Sequence, residues 1–172
     1  MREPLNKVKL ETLLQELGRR AKAPGVVYLV GGATAVWEGW RASSIDVDLK
    51  LDPEPPGIFE AIAALKIELD VNIELASPDH FIPPVPGWRE RSRFVGAYGQ
   101  IEVYHFDMLT QALAKIERGH VRDLDDVRSM VRAGLVDAAA LRQAFLDIEA
   151  ALIRYPALDA ASFRKKIEDF LA

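Results

Sequence analysis

Two aspartates that stand one residue apart, Asp46 and Asp48, are the residues of this sequence best suited to carry chemistry. They lie in IDVDLKL, residues 45–51, where apolar and polar residues alternate as they do in a half-buried strand. Aspartate is a poor strand former, and two carboxylates on one strand face repel each other unless a cation lies between them. Carboxylate oxygens suit Mg²⁺ that is held jointly with substrate phosphates. The spacing therefore predicts a magnesium site, with two ions as an option and a solvated strand face as the alternative.

A glycine pair, Gly31 and Gly32, precedes this strand. It follows the apolar run VVYLV, residues 26–30, and opens ATAVWEGW, which is predicted to be a short helix. Such a turn leaves backbone N–H groups free at the positive end of a helix, where phosphate binds well. Alone, a glycine pair also makes ordinary tight turns. Together with the Asp-x-Asp strand, from which thirteen residues separate it, it forms a more specific pattern, which predicts a substrate phosphate beside the aspartates.

The elements that position these residues follow from the hydrophobic periodicity. Strands are predicted at 26–30, 45–51, 70–76 and in a hairpin formed by RFVGAYG and QIEVYHF; helices are predicted at 5–21, 58–69, 108–119, 123–133, 138–151 and 160–171, and residues 77–93 as a long ordered loop. Strands dominate the first two thirds and helices the last third, which predicts an α+β fold with a mixed sheet flanked by helices. Residues 1–107 are expected to form the core, with 108–172 as a helical region packed on it.

Composition limits the possible functions of this 172-residue chain. The net charge of -4 argues against a protein that holds duplex nucleic acid by bulk electrostatics. The absence of cysteine excludes disulfides, thiolate metal sites and a cysteine nucleophile, and the three histidines show no metal-binding spacing. The charged N-terminus and the lack of a long apolar run predict a cytoplasmic protein with no membrane partner.

The segment LVGGATAVWEGWRASSIDVDLKL, residues 29–51, resembles the signature of the DNA polymerase beta-like nucleotidyltransferase fold. The resemblance implies that the glycine turn holds nucleotide phosphates, that Asp46 and Asp48 bind Mg²⁺, and that a carboxylate from a neighbouring strand completes the site. Glu74 in NIELASP and Glu102 in QIEVYHF are the two candidates for that carboxylate. Glu74 is preferred because its segment resembles the corresponding strand of the minimal nucleotidyltransferases, although that strand usually carries aspartate.

The segment DMLTQALAKIERGHVRDLDDVRSMV, residues 107–131, resembles a second signature, that of the abortive-infection toxin branch of nucleotidyltransferases. The resemblance implies that Lys115 contacts a nucleotide phosphate and that Asp123 serves the catalytic centre as general base for an incoming hydroxyl. Arg41 and Ser44 match the Arg-x-Ser/Thr-x-Asp pattern of the same branch and would join the nucleotide site. From the residues alone, an ion-pair cluster at a corner between two helices is the alternative for Lys115 and Asp123.

The resemblance implies an enzyme that moves a nucleoside monophosphate from a nucleoside triphosphate to an acceptor hydroxyl on RNA or protein. Mg²⁺ would be its cofactor and the nucleoside triphosphate its co-substrate. The same branch, with its uncharacterised bacterial relatives, suggests the toxin of a toxin–antitoxin pair and hence an antitoxin partner. The alternative is an inactive nucleotide-binding or regulatory module, because a fold does not fix a function.

One loop offers a further, undecided pattern. In FIPPVPGWRERSR, residues 81–93, Trp88 could stack a base while Arg89, Arg91 and Arg93 hold phosphate. The same residues could instead plug the edge of the core, with the arginines paired to acids. The sequence favours neither interpretation.

Overall fold

Five short segments form one mixed β-sheet in the computed structural model, which describes residues 2–172. The strands are β1 (Gly25–Val30), β2 (Asp46–Leu51), β3 (Asn72–Glu74), β4 (Arg93–Tyr98) and β5 (Ile101–His105), in the sheet order β3-β2-β1-β5-β4. β1 is antiparallel to β2 and parallel to β5, β2 is parallel to β3, and β4 is antiparallel to β5. The predicted α+β fold class is confirmed.

Three helices accompany this sheet: α1 (Lys7–Arg20), α2 (Gly31–Glu38) and α3 (Ile58–Glu68). The start of α1 is capped by Asn6, whose side chain accepts a hydrogen bond from the backbone N–H of Lys9 at 2.8 Å. Gly39 ends α2 in the left-handed conformation, as the sequence predicts. Each helix buries an apolar stripe in the hydrophobic core that it shares with the sheet.

Alternation along the strands gives the sheet two chemically different faces. One face supplies the core, and its members are buried: Val27, Leu29, Val47, Leu49, Ile73 and Val103. On β2 the intervening positions Asp46, Asp48 and Lys50 occupy the opposite face. The strand pairing therefore decides which polar residues meet Asp46 and Asp48.

The chain divides into two compact units. The sheet unit comprises residues up to Ser77 together with Arg93–Phe106, and the helical unit comprises Pro78–Ser92 together with Asp107–Ala172. The expected division into 1–107 and 108–172, with the second packed on the first, stays a prediction.

The helical unit consists of α4 (Trp88–Arg91), α5 (Met108–Arg118), α6 (Val121–Arg132), α7 (Ala138–Glu149) and α8 (Ala160–Leu171), with 3-10 turns at Pro78–His80 and Ala150–Arg154. Asp137 and Asp159 cap α7 and α8, as their positions in the sequence predict. The segment predicted as a loop thus contains one 3-10 turn and the short α4. None of the helices within residues 2–172 has the length and apolar character needed to cross a lipid bilayer.

Candidate active site

The Asp-x-Asp strand lies beside β3, and the pairing of these two parallel strands gathers polar side chains on one face. Asp46 is opposite Asn72, and Asp48 is opposite Glu74. The Asn72 amide donates hydrogen bonds to Asp46 Oδ1 at 2.6 Å and to Glu74 Oε1 at 3.0 Å. Asn72 therefore links two of the three predicted metal ligands and limits the directions in which their carboxylates can turn.

The alternative third carboxylate, Glu102, lies on β5 in a different part of the same face. It is opposite Val26 on β1, whereas Asp48 is opposite Val30. Four residues along a strand and two strand spacings separate the Cα atoms of Asp48 and Glu102 by about 16 Å. Glu102 accepts a hydrogen bond from the Tyr104 hydroxyl at 3.0 Å. Glu74, and not Glu102, is therefore the acidic neighbour of Asp48.

The glycine turn meets the aspartates at the start of α2. Gly31 has a φ of 56°, and a Cβ atom built there would lie 3.1 Å from Asp48 Oδ2. A side chain at this position would be strained by the backbone and would crowd the carboxylate. The first N–H groups of a helix have no partner within the helix, so the start of α2 places backbone N–H groups beside Asp48.

Ser44 and Arg41 complete this part of the site. A Cβ atom at Gly32 would lie 2.2 Å from Ser44 Oγ and 3.6 Å from an Arg41 guanidinium nitrogen. The Ser44 hydroxyl donates to the backbone carbonyl of Asp46 at 2.8 Å. The structure thus brings together all the predicted site residues that belong to the sheet unit: Gly31, Gly32, Arg41, Ser44, Asp46, Asp48 and Glu74.

The carboxylates of this group of residues suit an open Mg²⁺ site that is shared with a substrate. They do not form a closed site made of protein ligands alone. Within residues 2–172, no three Asp, Glu, His or Cys side chains are grouped as a ready-made metal site. Asp46 and Asp48 supply hard oxygen ligands on one face, and Mg²⁺ commonly uses one or two carboxylates together with substrate phosphates. The open position beside Gly31 suits such a phosphate. The residues therefore fit an ion that binds jointly with a nucleotide.

The helical unit contains the other predicted residues, Lys115 and Asp123, in a buried ion cluster. The Lys115 ammonium lies 2.7 Å from Asp126 Oδ2 and 3.4 Å from Asp123 Oδ1, and all three side chains are buried. Arg118 donates two further hydrogen bonds to Asp123, at 2.7 and 2.6 Å. The spacing of three residues between Asp123 and Asp126 predicts that both lie on one helix face in such an ion-pair cluster, but it gives Asp126 no catalytic role.

The surroundings of Asp123 favour its charged form. Burial raises the pKa of its carboxyl, but the hydrogen bonds from Arg118 and the charge of Lys115 outweigh burial and leave the pKa below its usual value. A carboxylate with a lowered pKa has little tendency to take up a proton near neutral pH. Asp123 is therefore well suited to hold cations and to accept hydrogen bonds.

Sequence reasoning treated His105 as a surface or packing residue, and the structure gives it polar partners in the sheet unit. Its side chain is only 3% exposed. Nδ1 lies 3.1 Å from the hydroxyl of Thr34, and Nε2 lies 3.0 Å from a carboxylate oxygen of Glu38. Both partners belong to α2, the helix that begins at the glycine turn. No local pattern in the sequence indicated this contact, because 71 residues separate His105 from Thr34.

Two of the three arginines in residues 81–93 are engaged with acids. Arg91 donates to both carboxylate oxygens of Asp107, at 3.0 and 2.8 Å. Arg93 lies 3.4 Å from Glu38. Arg89 stacks over the ring of Trp88, 4.3 Å from its centroid. These contacts support the pairing interpretation for Arg91 and Arg93.

A match to a known protein family covers nearly the whole chain. A protein-family model described as "Nucleotidyltransferase of unknown function (DUF6036)" matches residues 7–170. The chain belongs to this family. The matched range of this nucleotidyltransferase family includes both the carboxylate face of the sheet unit and the buried ion cluster of the helical unit. Comparisons with curated proteins and with solved structures gave no match. Membership supports nucleotidyltransferase chemistry as the general class of reaction, and the narrower toxin-type branch stays a prediction.

The burial of His105 has a measurable consequence for stability. Burial lowers its pKa from 6.5 to about 4, and the charges of Arg93 and Lys7 act in the same direction. The Glu38 carboxylate favours the charged ring, but it also faces Arg93, and burial dominates. The unfolded chain therefore binds more protons than the native one between pH 6.5 and pH 4. Stability from this group is complete above pH 6.5 and is lost as the pH falls through that window, by about 3 kcal/mol in full.

Urea unfolding of the wild-type protein and of His105→Gln between pH 7.5 and pH 4.5 tests this expectation. As the pH falls, the free energy of unfolding of the His105→Gln variant is expected to decline less steeply than that of the wild-type protein. His120→Gln, at an exposed histidine, is the control and is expected to follow the wild-type slope. Parallel slopes for wild type and His105→Gln would contradict a lowered pKa at His105.

Proposed function

We propose that this protein is a Mg²⁺-dependent nucleotidyltransferase that moves a nucleoside monophosphate from a nucleoside triphosphate to an acceptor hydroxyl. One observation carries the proposal: the glycine turn at the start of α2 approaches Asp48 so closely that a Cβ atom at Gly31 would lie 3.1 Å from its carboxylate. Phosphate-binding N–H groups and hard metal ligands thereby share one position. Either feature alone has ordinary structural explanations, whereas their juxtaposition is what nucleotide phosphates with Mg²⁺ require.

The sheet unit would bind the triphosphate. Asp46 and Asp48 would hold Mg²⁺ together with the phosphates, with Glu74 as third ligand, and the bound ion would neutralise charge on the transferred phosphoryl group. Gly31 and Gly32 would let the backbone donate to phosphate oxygens at close range. Their lack of side chains is what permits that approach.

Three neighbours would support these ligands. Asn72 would keep the Asp46 and Glu74 carboxylates oriented through its two hydrogen bonds. Arg41 would add positive charge near the phosphates, and Ser44 would support the turn from the side of Gly32. These three side chains would position the reacting groups and take no part in bond making.

The helical unit would contribute Lys115 and Asp123, as the abortive-infection branch implies. Lys115 would stabilise negative charge on the phosphates, and Asp123 and Asp126 would hold its ammonium group in place. Asp123 would accept the hydrogen bond of the attacking hydroxyl. Its lowered pKa makes it a weak base, so it would take up the hydroxyl proton only as the bond to the α-phosphorus forms and pyrophosphate leaves.

Label transfer tests the function. Purified protein, Mg²⁺ and each α-labelled nucleoside triphosphate in turn would be incubated with bulk tRNA or with cell extract, beside a reaction containing EDTA. The expected result is pyrophosphate release and label on RNA or on protein, lost with EDTA, which also identifies the acceptor class. Mg²⁺-dependent nucleotide binding without transfer would favour the regulatory module. Neither binding nor transfer would refute the proposal.

The biological role within this class is a separate question. A toxin of a toxin–antitoxin pair is expected to arrest growth when it is expressed alone. Co-expression of a cognate antitoxin would relieve the arrest. Normal growth at a high level of expression would argue against the toxin role while leaving the transfer chemistry in place.

Gly31→Ala is expected to weaken nucleotide binding about tenfold or more and to destabilise the fold by roughly 1–2 kcal/mol through its left-handed backbone. Gly39→Ala is the matched control, because Gly39 also has a positive φ, of 88°, but a Cβ atom there would meet nothing within 4 Å. The control is expected to show a similar loss of stability with unchanged nucleotide affinity. Urea unfolding and titration with nucleotide measure the two quantities, and equal affinities for both variants would count against a phosphate site at Gly31.

A further inference from the structure

The contact between His105 and α2 is more specific than the packing of a buried ring requires. Its two ring nitrogens meet Thr34 and Glu38, which are one helical turn apart on the same side of α2. An apolar side chain would fill the same space without needing polar partners. A buried imidazole, in contrast, is tolerated only where its nitrogens are hydrogen-bonded.

The hydrogen atoms of this contact can be assigned from the chemistry of the partners. A carboxylate only accepts, so a neutral imidazole places its proton on Nε2 and donates it to Glu38. The Thr34 hydroxyl then faces Nδ1 at 3.1 Å, with the Leu29 carbonyl 3.0 Å away on its other side. That carbonyl also accepts the backbone N–H of Phe106 at 3.0 Å. The Thr34 hydroxyl has a single proton, and donating it to Nδ1 still leaves the Leu29 carbonyl with the Phe106 N–H, so both ring nitrogens then have a partner.

The same contact ties α2 to the neighbouring strands β1 and β5. His105 is opposite Leu29 in the parallel pairing of β5 with β1, and Val30 connects Leu29 to the glycine turn. Since α2 has only eight residues, an anchor at Thr34 acts within one turn of Gly31. A tilt of so short a helix would move its first N–H groups away from Asp48.

We propose that His105 is a positioning residue for the phosphate-binding turn: by holding Thr34 and Glu38, it keeps the first N–H groups of α2 beside Asp48. This inference rests on the proposed function. The charged groups facing His105 are Glu38 on α2, Arg93 on β4 and Lys7 on α1. These charges are expected to change the strength of the hydrogen bonds that His105 makes with α2 and not the choice of its partners.

Thr34→Val removes the hydroxyl while keeping the branched shape, and Thr34→Ser keeps the hydroxyl. Two readouts are needed. One is amide hydrogen exchange of residues 35–38, whose N–H groups donate within α2, and it needs no ligand. The other is the Kd of tripolyphosphate with Mg²⁺, a probe that carries the phosphates without a base. For Thr34→Val we expect about tenfold faster exchange and about tenfold weaker binding, the effect of one lost buried hydrogen bond. Thr34→Ser is expected to restore both values.

Thr12→Val is the matched control, because the Thr12 hydroxyl donates to the Val8 carbonyl within α1 and does not touch His105. His105→Asn, which keeps an amide near the position of Nδ1, is expected to retain more of the affinity than His105→Leu. This comparison provides a second test should Thr34→Val fold poorly.

The outcomes separate the two proposals. Unchanged exchange in Thr34→Val would overturn the positioning role, whatever the nucleotide result. Faster exchange with an unchanged Kd would show a purely structural contact and would also overturn it. Failure of the wild-type protein to bind tripolyphosphate would instead overturn the proposed function, together with the phosphate role of the turn. In that case the exchange rates of wild type and Thr34→Val would still show whether the contact with His105 holds α2 in place.

Discussion

Asp48→Asn is expected to reduce nucleotidyl transfer by a factor of at least about 10³ and to leave the fold intact. Asparagine has the same shape as aspartate but lacks the charge that a shared Mg²⁺ requires. Asp48 is the carboxylate that lies beside both the glycine turn and Glu74, so no other carboxylate is expected to take over its role. Loss of its charge also relieves repulsion from Asp46 on the same face, so the free energy of unfolding is expected to change by less than about 1 kcal/mol.

Single-turnover label transfer and urea unfolding of the same preparations measure the two effects. Glu102→Gln is the matched control, because Glu102 lies on the same sheet face about 16 Å from Asp48. Its transfer rate is expected to stay within about twofold of wild type, as is usual for an exposed residue away from the chemistry. Retention of a tenth or more of the activity in Asp48→Asn, or an equal loss in Glu102→Gln, would contradict the metal role of Asp48.

Lys115→Met is expected to lower the free energy of unfolding by about 3–5 kcal/mol. The Lys115 ammonium is buried between Asp126, at 2.7 Å, and Asp123, at 3.4 Å. Methionine fills a similar volume but leaves two buried carboxylates without that cation. Asp126 is the nearer of the two carboxylates to the Lys115 ammonium, so the larger part of the cost is expected there.

Two further variants test this account by urea unfolding at neutral pH. Lys115→Met combined with Asp126→Asn is expected to recover more than half of the lost stability, because the uncompensated charge is removed. Lys165→Met is the surface control: its side chain is 75% exposed and pairs with Asp169 at 2.6 Å, so a change below about 1 kcal/mol is expected. Equal losses for the single and double Lys115 variants would indicate lost packing and not buried charge.

The wild-type cluster also has an expected pH dependence. Because the pKa of Asp123 is lowered in the native state, the unfolded chain takes up a proton first as the pH falls. The stability that Asp123 contributes is present above the pKa of an unfolded aspartate, about 3.8, and is lost as the pH falls through the lower native value. The ion cluster is therefore expected to persist at the mildly acidic pH at which His105 already reduces stability.

Features encoded in adjacent residues were predictable from the sequence. The alternation in IDVDLKL fixes which side chains share a face of β2, because successive strand residues point to opposite faces. Gly31 and Gly32 start α2 and Gly39 ends it, as the pattern indicates. The α+β class follows from the order of such segments along the chain, and it is confirmed.

Pairing between distant segments was not predictable, and it decides the neighbours of the site. Glu74 and Glu102 lie in similar alternating runs, so the sequence left two candidates for the third carboxylate. The parallel register of β3 on β2 places Glu74 opposite Asp48, and the position of β5 beyond β1 leaves Glu102 about 16 Å away. Strand order depends on how whole segments pack against each other, and the hydrophobic periodicity within one segment does not encode it.

By itself, the sequence determined the parts of the site: an Asp-x-Asp strand, a glycine turn and the helix that the turn begins. The tertiary structure decided the neighbours of these parts, Asn72 between two carboxylates and His105 against α2, and in the helical unit it placed Asp126 against Lys115. The physical reason is the range of the interactions. Backbone periodicity and caps act over a few residues, whereas a buried hydrogen bond or ion pair needs partners that only the folded chain brings within 3 Å or so.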